Sequence, residues 1–384
     1  MQPVAGQRDD GGERVVGEDG VLSVYGGASC RIEGAGPEPW RLLGEVSVGL
    51  DPEGVVVHRG TGKAYVSCSR SNAVTVLDVD TLAVVATVPV GFEPIDIVVD
   101  HRTDRVFSAD ARSDQLSVID VATDQVVATV PVGSYPSGLC LDEERRRLYC
   151  GDAAGSTMSV VDVDRLERVA VVPAELGAGS VVVDTVHDRV YCVNFIASSV
   201  TVVDADTLQV VGRVPLRQGP CAAGVAGNGD VFVADSLAST VTHIDGAAVA
   251  VAAELPVPNA PVGLTVGSAG DRLYVANRGD GSVSVLGLDG REWSRIPVGA
   301  APGGVIEDSR VPGRVLVANA GSGSVTVVED LLAGPPPTTL REVEHPLVGQ
   351  RMPRIPLVDL RTRQPQDLGV WEGRKYVVNV FASW

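Results

Sequence analysis

"EPIDIVVDHRTDRVFSADARSDQLSVIDVATDQVVATVPVG", residues 93–133, decides the fold. It holds four short apolar runs, at 95–99, 105–109, 115–119 and 125–130, each bounded by turn-forming residues. The same unit stands just before it as "DPEGVVVHRGTGKAYVSCSRSNAVTVLDVDTLAVVATVPVG" and returns as "APVGLTVGSAGDRLYVANRGDGSVSVLGLDGREWSRIPVG". The position ahead of the first run falls at Pro52, Pro94, Pro136, Ala178, Pro220, Pro261 and Pro302, in steps of 42, 42, 42, 42, 41 and 41 residues. A period held that closely marks a repeat architecture. The alternation in "SSVTVVD", residues 198–204, suits a strand with one packed face. The Asp-x-x-Thr that follows the third run, at Asp78–Thr81, Asp120–Thr123 and Asp204–Thr207, predicts a tight turn held by the aspartate.

Units of about 40 residues with four strands each build a β-propeller, because a single sheet cannot bury both of its faces and must stack against neighbours. The seventh unit has only three strands before "LLAGPPPTTL", whereas "WRLLGEVSV", residues 40–48, sits ahead of Pro52 as an outer strand should. The expectation is an all-β, seven-bladed propeller of four-stranded blades, closed by an outer strand from the N-terminal side. "RLYVAN" (272–277), "RVLVAN" (314–319) and "RVYCVN" (189–194) resemble the YVTN-type propeller repeat over residues 40–330. That resemblance implies a fold and little about activity, since propellers host binding modules and enzymes alike.

The formal net charge of -18 argues against a nucleic-acid partner, which needs clustered Lys and Arg. Only Lys63 and Lys375 are lysines, so arginine carries nearly all the positive charge. No apolar run reaches the roughly 18 to 20 residues of a membrane span. The first twenty residues lack a basic start followed by an apolar stretch, so the expected location is cytoplasmic, or extracytoplasmic if the true start lies upstream. A monomer is expected. The six cysteines, Cys30, Cys68, Cys140, Cys150, Cys192 and Cys221, contain no C-x-x-C pair. The five histidines share no ligand-like spacing, and no phosphate loop or Ser-His-Asp array is legible, so no catalytic residue, metal or cofactor is assigned.

Two loop sets share one face of the ring: outer strand to next blade, and second strand to third. The first set offers Phe92, Glu93, Tyr135, Arg217 and Cys221, the second Arg70, Arg112, Phe195, Ile196, Arg278 and Asp280. Cys221 is the cysteine with the most exposed expected setting. A small molecule or protein is the expected partner there, with Arg70, Arg112, Tyr135, Phe195 and Arg278 as candidate ligand-binding residues. Arginines that break the repeat have the fork geometry to clamp an anion. The residues ending the second strands, Cys68, Asp110, Asp152, Asn194, Asp235, Asn277 and Asn319, read as loop caps rather than a ring of metal oxygens. A deep funnel would favour a propeller enzyme of lyase or cyclase type. Streptogramin-inactivating lyases are seven-bladed propellers of that kind, but their His and acidic pair has no counterpart on these loops. A flat or plugged face would favour a structural scaffold.

The organisation read from the sequence is an irregular lead at 1–38, the propeller at 39–332, a Pro-rich linker at 333–346 and a different segment at 347–384. The last, "LVGQRMPRIPLVDLRTRQPQDLGVWEGRKYVVNVFASW", resembles the opening of a thioredoxin-like redoxin domain. Val348, Gly349, Pro353, Ile355 and Leu357 match the family's opening, then Gly373, Arg374 and Lys375 lead into a strand and "ASW". Arg354 departs from the acidic residue common there. The resemblance implies a short hairpin and, in relatives, a redox cysteine just after this point. The expectation is therefore a binding propeller fused to the truncated start of a redoxin, with thiol-disulfide or peroxide chemistry in the intact protein and none in these 384 residues.

Overall fold

A computed structural model describes residues 38–333, together with the backbone of four short strands, Leu22–Val24, Ala28–Cys30, Pro356–Val358 and Pro365–Asp367. The chain divides into a ring unit, Pro39–Pro335, and a second unit formed by Met1–Glu38 and Pro336–Trp384. Within the second unit, Leu22–Val24 pairs with Ala28–Cys30, and Pro356–Val358 pairs with Pro365–Asp367, both antiparallel. The YVVNVF run, read above as a strand, and the residues around it lie outside the described residues.

The ring unit is a seven-bladed β-propeller of four-stranded antiparallel sheets. Blade 2 illustrates the unit: Pro94–Asp100 is innermost, then Arg105–Asp110, Gln115–Asp120 and the outer strand Gln125–Pro131. These bounds match the four apolar runs of the sequence to within a residue at each end. Each third strand meets its outer strand across a bulge, as between Val118 and Ile119, and bulges add the local twist that a blade needs. Blade 7 takes Pro302–Glu307, Arg314–Asn319 and Ser324–Asp330 from the end of the ring, and its outer strand is Trp40–Ser47. Trp40 pairs with Asp330 and Ser47 with Ser324, so the ring closes as the sequence led one to expect.

The core follows from this geometry. Seven hydrophobic clusters fill the seven interfaces, one between each pair of neighbouring blades. Tyr65 and Val74 of blade 1 meet Ile97 and Val106 of blade 2. Val66 and Leu77 of blade 1 meet Leu316 and Val325 of blade 7 across the closure. The second strand is buried on both faces, which is why it reads as a continuous apolar run rather than an alternating one.

Polar staples fix neighbouring blades at the face opposite the candidate loops. The basic residue opening the second strand, and the tyrosine two residues on, reach the next blade's turn between third and outer strands. Lys63 Nζ and Tyr65 Oη donate to the Asp124 carboxylate at 2.7 and 2.8 Å. Arg147 donates to Ala205 O at 2.7 Å, and Arg272 and Tyr274 to Asp330 at 2.8 and 3.0 Å. Arg314 of blade 7 reaches Asp80 of blade 1 at 2.7 Å, adding an ionic clasp to the closure. This is the physical content of the recurring Arg-x-Tyr. The Asp-x-x-Thr turns form as read, with Asp78 Oδ1 accepting from Thr81 N and Oγ1 at 2.7 and 2.8 Å.

The glycine that ends each "PVG" has a steric cause. A Cβ on Gly91, Gly133 or Gly299 would lie 2.6, 2.2 or 2.6 Å from the side chain of Asp110, Asp152 or Asn319 in the next blade. Gly133→Ala is therefore expected to lower unfolding stability by about 2 kcal/mol in a denaturant titration. Gly227→Ala, where a Cβ meets nothing within 4 Å, should leave the midpoint unchanged.

Candidate functional site

The loop face is built on a left-handed turn used seven times. The residue before each first strand has positive φ: Asp51 57°, Glu93 56°, Tyr135 57°, Gly177 79°, Gly219 75°, Ala260 55° and Ala301 50°. Its carbonyl accepts from the residue after the second strand each time, as in Ala111 N to Glu93 O at 2.9 Å and Ala153 N to Tyr135 O at 2.9 Å. A non-glycine residue in this region costs roughly 1 to 2 kcal/mol. Blades 1 to 3 meet that cost with side chains that have partners.

Those partners include the candidate arginines. Arg70 lies on the turn Ser69–Ser71 and pairs with Asp51 at 3.3 Å. Arg112 lies on Ala111–Ser113 and pairs with Glu93, which also accepts from Tyr135 Oη at 2.6 Å. Arg278 pairs with Glu53 of the innermost strand of blade 1 at 3.4 Å. The guanidinium side chains stand outermost: Arg70 is 78% and Arg112 71% exposed, whereas Asp51 and Glu93 are each 28% exposed beneath them. Asp51, Ser69, Arg70, Asn72, Phe92, Glu93 and Arg112 line an open hollow of about 640 Å³ between blades 1 and 2.

The structure thus brings Arg70 and Arg112 into one hollow and joins Tyr135 to it through Glu93. Arg278 is linked instead to the channel wall, and Phe195 stands over blade 4, apart from the hollow. Sequence reasoning left out Asp51 and Glu53, the recessed counter-charges. Their only signal was an acidic residue on each side of Pro52, a position filled by small or apolar residues in most other units.

Titration in the site is dominated by burial. Burial, then the hydrogen bond to Glu93, pushes the Tyr135 phenol up to about 12, so it stays protonated and is a poor base. Burial also raises Glu53 above the usual carboxylate range, against the pull of Arg278. Asp96, in the innermost strand of blade 2, is pushed up to about 6 by burial while accepting from Leu139 N of the next blade at 2.8 Å. Ser180 takes the same bridging role between blades 4 and 5. Elsewhere glycines let the inner strands approach closely, since a Cβ on Gly138 would lie 2.5 Å from Gly179 O.

Cys221 is not an exposed thiol. It packs between blades with Sγ 3.3 Å from Pro261 O, and burial pushes it up to about 12. Cys140 and Cys192 are pushed to about 12 by burial as well. Among the described residues no group of three or more His, Cys, Asp or Glu is placed to hold a metal ion.

The Asp and Asn series at the second-strand ends bonds across its own loop to the third strand, and in blades 2 to 4 it also accepts from the incoming loop. Asp152 accepts from Thr157 and Ser159 of the third strand at 2.9 and 2.8 Å and from Gly133 N of the incoming loop at 3.0 Å. It ties two strands of one blade to the exit of the blade before. In blades 6 and 7 the tie stops short of the incoming loop, and Asn277 Oδ1 and Asn319 Oδ1 are buried without a partner.

No family model matches the chain, and no curated protein does. Among solved structures it is similar to one titled Kuenenia stuttgartiensis hydrazine synthase, with a TM-score of 0.67 and 21% identity over 74% of this chain and 97% of that one. A total of 1572 solved chains match, so likeness of fold selects no activity by itself.

Asp235 occupies the Asp/Asn position in blade 5. Its Oδ2 accepts from Thr240 and Thr242 at 3.2 and 2.6 Å, its Oδ1 has no partner, and burial pushes it up to about 6. Because the folded pKa lies above the unfolded value, Asp235 favours the folded state less as pH rises from about 4 to 6. Blades 4, 6 and 7 carry Asn there. Asp235→Asn should therefore stabilise the protein at pH 8, by up to about 3 kcal/mol. The gain should shrink as pH falls below 6 and vanish near 4, in unfolding titrations at stepped pH.

Proposed function

We propose that the protein is a binding propeller whose loop face takes a ligand presenting a negatively charged group to Arg70 and Arg112. One observation carries this reading: in a strongly acidic chain, two guanidinium groups stand outermost over recessed carboxylates, around a hollow of small-molecule size. The carboxylates below hold the arginines in place, and the forks remain open to solvent. Phe92, exposed beside them, adds an apolar wall.

A lyase or cyclase reading of the same face has less support. The described histidines lie elsewhere: His58, His101 and His187 at the opposite face and His243 within a third strand. The Tyr135 phenol, pushed up to about 12, stays protonated and supplies no base near neutral pH. The repeat type remains a YVTN-like reading, supported by the Arg-x-Tyr and strand-end Asn residues that staple the blades.

The C-terminal segment is read as the opening of a redoxin-type domain. Its support is the family motif quoted above and the hairpin of Pro356–Val358 with Pro365–Asp367, where the resemblance calls for one. The 384 residues contain no C-x-x-C, and burial raises Cys68, Cys140, Cys150, Cys192 and Cys221 above the ordinary thiol range. This chain is expected to show no thiol-dependent reduction of insulin. Turnover above the dithiothreitol background would contradict that.

The binding site is tested by thermal shift with a panel of organic anions, neutral compounds and cations. Stabilisation is expected from carboxylate- or phosphate-bearing members. Arg70→Ala with Arg112→Ala should weaken it about 10- to 100-fold, the scale of losing charge-assisted hydrogen bonds. Stabilisation by cations alone, or by anions independently of both arginines, would overturn the proposal.

A further inference from the structure

The loop face is divided into sectors when one structural position is followed around the ring. The second residue after the second strand is Arg70, Arg112, Ala154, Ile196, Leu237, Gly279 and Gly321 in blades 1 to 7. The seven positions are equivalent, since the residue just before each donates to the left-handed residue of its own blade. The chemistry presented there changes from blade to blade. Blades 1 and 2 present cations, blades 4 and 5 present aliphatic side chains, and blades 6 and 7 present none.

The aliphatic sector is exposed and continuous with its surroundings. Ile196 is 67% and Leu237 70% exposed, and Phe195 and Leu176 on the blade 4 loops are exposed as well. Ala197 N donates to Leu176 O at 3.0 Å, and a Cβ on Gly177 would lie 3.0 Å from Ile196 Cγ1, so Leu176 and Ile196 share one patch. Glu175 pairs with Arg213 at 2.9 Å and Arg217 with Glu254 at 2.7 Å. Apolar side chains left open to solvent on one loop face offer an interaction surface.

We infer that the occupant of this face is a segment of a partner protein with an acidic residue toward Arg70 and Arg112 and apolar side chains toward Ile196 and Leu237. This rests on the anion-binding reading and goes beyond it. Charge complementarity sets one end of the segment, since the outermost groups of blades 1 and 2 are guanidiniums over recessed carboxylates. Desolvation sets the other, because only apolar groups gain by covering the Leu176, Phe195, Ile196 and Leu237 patch. At the same position blades 6 and 7 have glycines, so only neighbouring side chains such as Arg278 stand there.

The test is selection of a random 12-residue phage-displayed peptide library on the immobilised full chain, with enriched peptides then measured by fluorescence polarisation. Enriched sequences should pair Asp or Glu with Leu, Ile or Phe. Arg70→Ala with Arg112→Ala, and separately Ile196→Ser with Leu237→Ser, should each weaken them at least tenfold. All four side chains are exposed, and circular dichroism confirms the fold of each variant. Arg70→Glu with Arg112→Glu should turn selection toward basic peptides. Enrichment of basic or purely apolar peptides on the parent chain, or binding indifferent to either pair, overturns the inference. If no peptide is enriched while organic anions still bind through Arg70 and Arg112, the protein-segment inference falls and the anion site stands. If neither binds, both fall.

Discussion

Everything in this molecule depends on burying both faces of each four-stranded sheet against neighbours, because no blade has a core of its own. Tyr65 packs on blade 2 while Val66, the next residue, packs on blade 7. Seven such wedges make one closed system, so the interface between blades 7 and 1 matters as much as any other. Polar groups follow the same logic. The Arg-x-Tyr staples at one face bond across blade boundaries, and so do the strand-end residues Asp110, Asp152 and Asn194 at the other.

Where the repeat is strict, residues serve the ring; where it lapses, they are free to serve something else. The left-handed turn holds glycine in blades 4 and 5 and alanine in blades 6 and 7, whereas blades 1 to 3 carry Asp51, Glu93 and Tyr135 at the same strained φ. All three enter the charged array with Arg70 and Arg112 or stand beside it. The aliphatic residues of blades 4 and 5 are the counterpart departure. A scaffold alone has no need for either sector.

The fold was legible because its signals are local and repeated. The blade number, the strand bounds and the closing outer strand all follow from a period of 41 to 42 residues. The site was legible only in part. Arg70, Arg112 and Tyr135 stood out as repeat-breaking side chains, but their carboxylate partners did not, since pairing across blades is invisible in a linear pattern. Arg278 and Glu53 are 225 positions apart and meet only because the ring closes. The strand-end aspartates could be read as structural, but not their bond to the preceding loop, because that contact crosses between units. Cys221 misled for a similar reason: its place in a loop-like stretch hid the neighbouring blade that covers it.

The most direct test of this account is thermal unfolding of a chain that begins at residue 49, lacking the outer strand Trp40–Ser47. If the ring is one closed system, blade 7 loses its edge partner and the blade 7 to blade 1 wedge opens. The melting temperature should fall by on the order of 10 °C, with a broadened transition. Adding a synthetic peptide of residues 38–48 should restore it in part. An unchanged, equally sharp transition in the shortened chain would contradict the claim that closure holds the seven blades together.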